Sequence, residues 1–491
     1  VLVGLLLLGA ILRFATLDLQ SYRYDEAVTV GRVLHPSLFD TLATVPRSES
    51  TPPLYYALAW LWSRVFGSGE VGLRSLSALA GTASIAVVYL AAVALPLRRR
   101  AGLIAAAIVA VNPVLIWFSQ DARAYALVFL FTALSFLFFA RARHSGSKRD
   151  LGWWAATSSL ALLTHYFAAF VVIPEAALLL TSHFFANRAN KGEVSAYRRR
   201  VIVAFGVVIA TGLLLLPIAL RQNGNAHAGW IAKQPISERL ERAGVKLVGD
   251  DNGEEHGARQ PGPIPLGIPV ALVLTALALL LWRGDALERR GSAISAAVGT
   301  AGVGLPLLLG AFGADYLDGR NLIPVFVPLI VLLGAGFGVR RAGWAGLALA
   351  GIFCLCSLVF TIEIDRLPRL QREDLRNAAH QIEPLRLGTA VVTTRYSGNQ
   401  PLRYYLGARF AQGALPPLRE IDLVGSASAE RNATRLLPPV FHWVESKPVS
   451  YNFSLTRFRA KHPVRIPLQL LEQGVLVGGG DRASVIVRGA G

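Results

Sequence analysis

The sequence predicts an α-helical polytopic membrane protein with a C-terminal soluble α/β domain. Three observations predict it: apolar content, a series of span-length apolar runs, and a change of composition after residue 362. Hydrophobic residues make up 53% of the 491 positions and charged residues 16%, with a mean hydropathy of +0.46. A soluble domain of this length needs more charge to stay dissolved, so the bilayer class leads. The formal net charge of +18 is not read as a nucleic-acid footprint, because most basic residues sit between apolar runs. Cys354 and Cys356 share one apolar run. They make neither a disulfide framework nor, without further ligands, a zinc site, and they read as packing residues.

A membrane helix needs roughly 20 apolar residues, with about 17 as the short limit. Such runs lie near 1–17, 72–96, 101–118, 124–140, 201–220, 264–282, 292–312, 321–339 and 343–362. Val1 opens inside an apolar stretch that is too long for a signal peptide and lacks its cleavage site. It is read as a first span without its native beginning. The run Gly152–Phe185 is 34 residues long, too long for one helix and just long enough for two, with a break expected near Thr164-His165-Tyr166.

Basic clusters decide the alternation. They fall at Arg98–Arg100; at Arg141, Arg143, Lys148 and Arg149; at Arg188, Lys191 and Arg198–Arg200; at Arg283, Arg289 and Arg290; and at Arg340 and Arg341. Short cytoplasmic loops carry excess Lys and Arg, which puts all five clusters inside. Two helices in Gly152–Phe185 then satisfy the alternation, and the count becomes about eleven spans. The outward segments are 18–71, the Ser119–Arg123 turn, the His165-Tyr166 turn, 221–263, Ala314–Arg320 and the tail. Within 18–71, the Trp-rich stretch Ala57–Phe66 is too short to span and fits a helix lying in the interface. The expected division is 1–362 as the transmembrane domain and 363–491 as an extracytoplasmic α/β domain. The latter has strands at Thr389–Thr394, Val440–Val444 and Ser484–Val487 and a helix at Gln400–Leu406.

Four outward segments carry chemistry. Ser21–Thr29 holds the adjacent carboxylates Asp25 and Glu26; either they line a site, or they face water as a solvated loop. Ser119–Tyr125 holds Asp121, Arg123 and Tyr125. On a helix Asp121 and Tyr125 share a face, and the plainer alternative is that Asp121 caps the next helix. His165 is either a catalytic or an interfacial residue. Tyr316 and Arg320 stand at the mouth of the next span, where Arg320 either snorkels to headgroups or holds a phosphate with its guanidinium fork. Arg74 is a further arginine at an outer helix end. The topology, derived without these residues, puts all of them on one side. A transporter favours ionisable groups near mid-span, where Glu175 is the main exception.

In order along the chain, Arg13, Tyr24-Asp25-Glu26-Ala27, Thr51-Pro-Pro-Leu-Tyr-Tyr56 and Leu73-Arg74-Ser-Leu-Ser77 resemble the GT-C glycosyltransferases. The group they resemble is the protein O-mannosyltransferase and aminoarabinose transferase-like superfamily (glycosyltransferase family 39 type). Ser119–Tyr125 and Thr164-His-Tyr-Phe167 are similar to segments of its bacterial mannosyltransferase-like branch. The resemblance is specific over about 10–170, looser over Tyr316–Pro328 and silent on 363–491. It implies a polyprenyl-phosphate sugar donor, an outward-facing cavity and inverting transfer. It also implies an essential carboxylate at Asp25, with Glu26 beside it, and a second carboxylate at Asp121. The aminoarabinose transferases carry a lysine beside the glutamate before Pro-Pro, where this chain has Glu49-Ser50-Thr51. Phosphate contact is therefore expected from Arg74, Arg123 or Arg320, with Tyr125, His165 and Tyr316 in the donor site.

The sequence thus reads as an extracytoplasmic glycosyltransferase of the cell membrane, with a lipid, glycan or protein acceptor. No nucleic-acid partner and no required cofactor are expected; if a divalent cation binds, Glu49 with a distant histidine would hold it. The rival readings are a transporter or flippase of a lipid-linked glycan, and a scaffold displaying 363–491.

Overall fold

The computed structural model describes residues 1–181, 191–223, 231, 234–248, 264–313, 315–479 and 482–488. The chain divides into two compact units, Val1–Leu17 with His35–Glu363, and Asp18–Leu34 with Ile364–Gly491. The division after Glu363 falls where composition changes. The loop 18–71, expected whole in the helical domain, is split: Asp18–Leu34 counts with the C-terminal unit.

The first unit is helical. Among the described residues, six helices are long and apolar enough to cross a membrane: Glu70–Ala94, Tyr125–Ser145, Tyr197–Asn223, Ala286–Ala311, Gly319–Phe337 and Arg340–Arg366. A seventh candidate is the pair Arg99–Val111 and Pro113–Ser119, bent by 57°, and shorter apolar helices occupy Leu2–Phe14, Tyr166–Thr181 and Gly267–Arg283. Length and composition therefore do not reach the expected count of eleven. The long run does break where expected, since the helix Lys148–Thr164 ends at His165 and a 3-10 turn, Tyr166–Ala168, leads into Ala169–Thr181. Arg188 and most of 221–263 lie outside the described residues.

Small residues let these helices approach closely, as membrane packing requires. A Cβ on Gly334 would come within 2.6 Å of the Ala101 carbonyl oxygen, so glycine sets the contact between Phe326–Phe337 and Arg99–Val111. Cys354 packs against the main apolar core and Cys356 is buried; both are free. Glu175 is fully buried, its Oε2 accepting from Ser135 Oγ at 2.5 Å and Trp154 Nε1 at 2.9 Å. This ties the helix Ala169–Thr181 to the helices Tyr125–Ser145 and Lys148–Thr164.

The second unit is built on a six-stranded sheet. Its strands are β1 (Thr389–Thr394), β2 (Arg409–Phe410), β3 (Leu418–Gly425), β4 (Phe441–Pro448), β5 (Ser454–Val464) and β6 (Ala483–Val487), in the order β2-β6-β1-β3-β5-β4. β1 pairs parallel to β3, and the other pairings are antiparallel. Alternation along β1 sends Ala390 and Val392 into one apolar cluster and Val391 into another, so both faces of the central strand are covered. The second cluster is closed by Leu375, Ala378, Ala379 and Ile382 on the helix Leu375–Ile382 and by Leu402 on Asn399–Tyr405.

Candidate active site

The Asn112-Pro113 break shapes the first half of the site. Asn112 caps the short helix Pro113–Ser119 through Oδ1, which accepts from Leu115 N at 3.1 Å. Pro113 has no N–H to give the Val109 carbonyl four residues back. The buried Arg13 supplies the missing donors: Nη2 donates to Val109 O at 2.8 Å, Nη1 to Ala110 O at 3.0 Å and Nε to Ser119 Oγ at 3.2 Å. Arg13 thus serves the bend itself, which aims the following turn. A Cβ on Gly81 would stand 2.0 Å from Ser119 Oγ and 3.0 Å from Arg13 Nε, so only glycine allows this approach. Gln120 Nε2 then donates to Thr16 Oγ1 at 2.7 Å and Leu12 O at 3.1 Å, anchoring the turn to the first helix.

Asp121 is fully buried in that turn. The next helix begins at Tyr125 with Ala124 as its N-cap. Asp121 therefore lies ahead of the cap, and the argument that it shares a helical face with Tyr125 does not apply. Arg74, also buried, donates from Nη1 to Leu17 O at 2.8 Å, and Ser77 Oγ donates to Arg123 O at 3.4 Å. The Leu73–Ser77 segment and the Ser119–Tyr125 turn are thereby joined.

Arg123 has a partner that sequence reading did not assign. Its Nη1 lies 2.7 Å from Glu49 Oε2, and both side chains are buried. The same oxygen accepts from Tyr56 Oη at 2.6 Å, and Tyr56 is 2.9 Å from Thr51 Oγ1. Glu49 Oε1 is buried with no hydrogen-bond partner among the described residues. The position that lacks the family's neighbouring lysine is thus met from across the fold by an arginine. Opposite charges on two segments expected on the same side of the membrane were the available signal. Gln222 locks the same loop, donating from Nε2 to Thr51 O at 2.9 Å while its Oε1 accepts from Tyr166 Oη at 2.8 Å. Among the described residues, no three His, Cys, Asp or Glu side chains gather to hold a metal.

An aromatic chain links the other candidates. Ring centroids are 4.5 Å apart for Phe118 and Tyr125, 5.7 Å for Tyr125 and His165, 5.0 Å for His165 and Phe167, and 5.5 Å for Phe167 and Tyr316. Beyond Tyr316, Asn321 Nδ2 donates to the Tyr316 carbonyl at 2.9 Å. Asp318 caps the 3-10 turn Gly319–Val325 by accepting from Arg320 N at 3.1 Å, and its Oδ1 is 3.4 Å from Arg320 Nε. Asp315 is ion-paired with Arg239. His165, in the turn between helices, is pushed down to about 3 by burial and then by the positive charges of Arg123 and Arg320. One neutral, aromatic-walled imidazole therefore feels both guanidiniums. This unit brings together Asp121, Arg123, Tyr125, His165, Tyr316 and Arg320, with Arg74 at the edge through Ser77.

Asp25 and Glu26 belong to the second unit, on the short helix Tyr24–Val28. Glu26 is fully buried; its Oε2 accepts from Arg23 N at 3.1 Å and from Arg372 Nη1 at 2.7 Å. It is both N-terminal cap and ion-pair partner, a set of bonds that suits holding the loop. Ser21 Oγ donates to Glu373 O at 2.6 Å, Tyr22 N donates to Tyr405 Oη at 2.6 Å, and Arg403 Nη2 donates to Gly31 O at 2.6 Å. These bonds leave the Asp25 side chain about one-third accessible, at 36%, with Arg23 Nη2 at 3.8 Å. Tyr24 is pushed up by burial, with Arg32 opposing and Asp25 adding to the shift. Of the two adjacent carboxylates, Glu26 is buried in an ion pair and Asp25 is partly accessible.

Residues 50–211 match the family model described as dolichyl-phosphate-mannose-protein mannosyltransferase, a segment shorter than half of the chain. No curated protein sequence matches. Among solved structures, ArnT from Cupriavidus metallidurans bound to undecaprenyl phosphate is similar at 13% identity and a TM-score of 0.53, over 93% of this chain and 97% of that one. Its apo state gives 14% identity and a TM-score of 0.52 over the same shares. At such identity the likeness shows the fold. The chain therefore shares the fold of these structures, and residues 50–211 are similar to the mannosyltransferase family model, in line with the resemblance that its own motifs carry.

Proposed function

We propose that the chain is an inverting glycosyltransferase that moves a sugar from a polyprenyl-phosphate donor to an acceptor hydroxyl on the extracytoplasmic side. The observation that carries the reading is the aromatic chain from Tyr125 through the buried His165 to Tyr316, with Arg123 and Arg320 close enough for their charges to be felt at the imidazole. Such a spot suits a phosphate, whose charge needs paired donors once removed from water. The protein of like fold from Cupriavidus metallidurans holds undecaprenyl phosphate, which supports the same donor class here. The basic clusters support eleven spans, with 363–491 and every candidate residue outside.

In this mechanism the lipid tail stays in the bilayer. Asp25 takes the proton of the acceptor hydroxyl, whose oxygen attacks the anomeric carbon opposite the lipid phosphate. The bond from that carbon to the phosphate oxygen breaks, and polyprenyl phosphate leaves with the electron pair. General-base help of this kind contributes about 10²–10⁴-fold. Arg320, with Arg123 and Arg74, stabilises charge growing on the leaving phosphate, and Asp121 is the second carboxylate of the site. Tyr125, His165 and Tyr316 wall the donor. Incubating the purified chain with a panel of polyprenyl-phosphate sugars and acceptors, and reading free polyprenyl phosphate by mass spectrometry, tests this. Release with one donor class supports it; no release from any donor contradicts it.

A further inference from the structure

A second pocket lies away from all these residues, at the ends of the helices Tyr125–Ser145 and Lys148–Thr164. It encloses about 510 Å³ and is lined by Phe138, Arg141, Ser147, Arg149, Asp150 and Trp153. That volume falls within the roughly 300–1,000 Å³ of small-ligand sites. One wall is an aromatic pair, Phe138 stacked on Trp153 with centroids 5.8 Å apart, and the Arg141 guanidinium stands 5.7 Å from the Phe138 ring centre. Arg141 and Arg149 are exposed, and among the described residues neither has a carboxylate within ion-pair distance. Asp150 accepts from Ser145 Oγ through Oδ2 at 2.7 Å.

We infer that this pocket binds the phosphate-bearing headgroup of a membrane lipid that also carries hydrogen-bond donors, such as glycerol or ethanolamine. The two forks match phosphate oxygens. Trp153, half-exposed at 49%, has the amphipathic ring favoured at the headgroup level. Acyl chains would follow the apolar flanks of the same two helices. Asp150 decides the headgroup: a carboxylate beside the phosphate rewards a lipid with donors and gives a quaternary ammonium headgroup no hydrogen bond. Inorganic phosphate would share only the arginine contacts.

Native mass spectrometry of the full chain in detergent tests this with short-chain phosphatidylglycerol, phosphatidylethanolamine and phosphatidylcholine at equal concentration. The first two should be retained well above the third. The double variant R141Q/R149Q should lower their retention by about tenfold or more, because two charge-assisted contacts are lost. Both side chains are exposed, so the variant should keep its melting temperature. Asp150→Asn should keep phospholipid binding while narrowing the preference over phosphatidylcholine. Equal retention of all three lipids, unchanged retention by the double variant, or displacement of lipid by millimolar inorganic phosphate would overturn the assignment.

Discussion

Two buried glutamate–arginine pairs, one in each unit, have the same 2.7 Å separation and different surroundings. Glu26 and Arg372 are more deeply buried, and the Glu26 oxygen that meets arginine also caps its own helix through Arg23 N. Glu49 and Arg123 share a carboxylate oxygen with Tyr56, and the second oxygen, Oε1, lacks a hydrogen-bond partner among the described residues. The first pair spends its bonds on fixing a loop. The second keeps bonding capacity in hand beside a histidine that feels its arginine. Equal distance therefore does not mean equal surroundings: the Glu49 oxygen is shared with the Tyr56 hydroxyl, the Glu26 oxygen with the start of its own helix.

That contrast breaks most visibly at Glu26. Breaking a buried pair by removing one partner costs about 3–5 kcal/mol, since the other charge is left uncompensated. Glu26→Gln should thus lower the unfolding free energy of the second unit by that order, read by denaturant melts of the full chain. Glu49→Gln should be distinguished by activity: in preparations that remain folded, kcat should fall, whereas folded Glu26→Gln should lose less. A smaller effect is expected at Arg320. Arg320→Lys keeps the charge but not the fork, so transfer should fall by about tenfold or more if one of two phosphate contacts, worth about 1.5–3 kcal/mol, is lost. Parental transfer by this variant would return Arg320 to a headgroup role.

A further effect concerns pH. The ordinary His pKa of about 6.5 stands above the value of about 3 for folded His165, so between them the unfolded chain binds a proton that the folded chain does not. Its contribution to stability is complete above about 6.5 and is lost as pH falls towards 3. Melting temperature should decline over that window, and His165→Gln should make the decline shallower. An unchanged slope would place the titrating group elsewhere.

Much of the fold was legible because it is written in local pattern. The 34-residue apolar run breaks at His165 because its length exceeds one span, and β1 coincides with the alternating stretch Thr389–Thr394. Pairings across long sequence distances were not legible. Glu26 meets Arg372 across 346 positions, and Glu49 meets Arg123 across 74; neither has a local signature. The Asp121 argument failed for a local reason: a helix was assumed to continue through Ser119–Tyr125, whereas the turn keeps 120–124 outside both helices. The number of spans depended on charge alternation, which length and hydropathy do not reproduce.

The central claim is transfer assisted by Asp25 from a lipid phosphate donor. It is tested most directly by comparing the parent chain with Asp25→Asn on one polyprenyl-phosphate sugar and its acceptor, measuring donor binding and release of polyprenyl phosphate in the same preparations. The account predicts retained donor binding with release slowed by about two orders of magnitude or more. Equal release by parent and variant would contradict it.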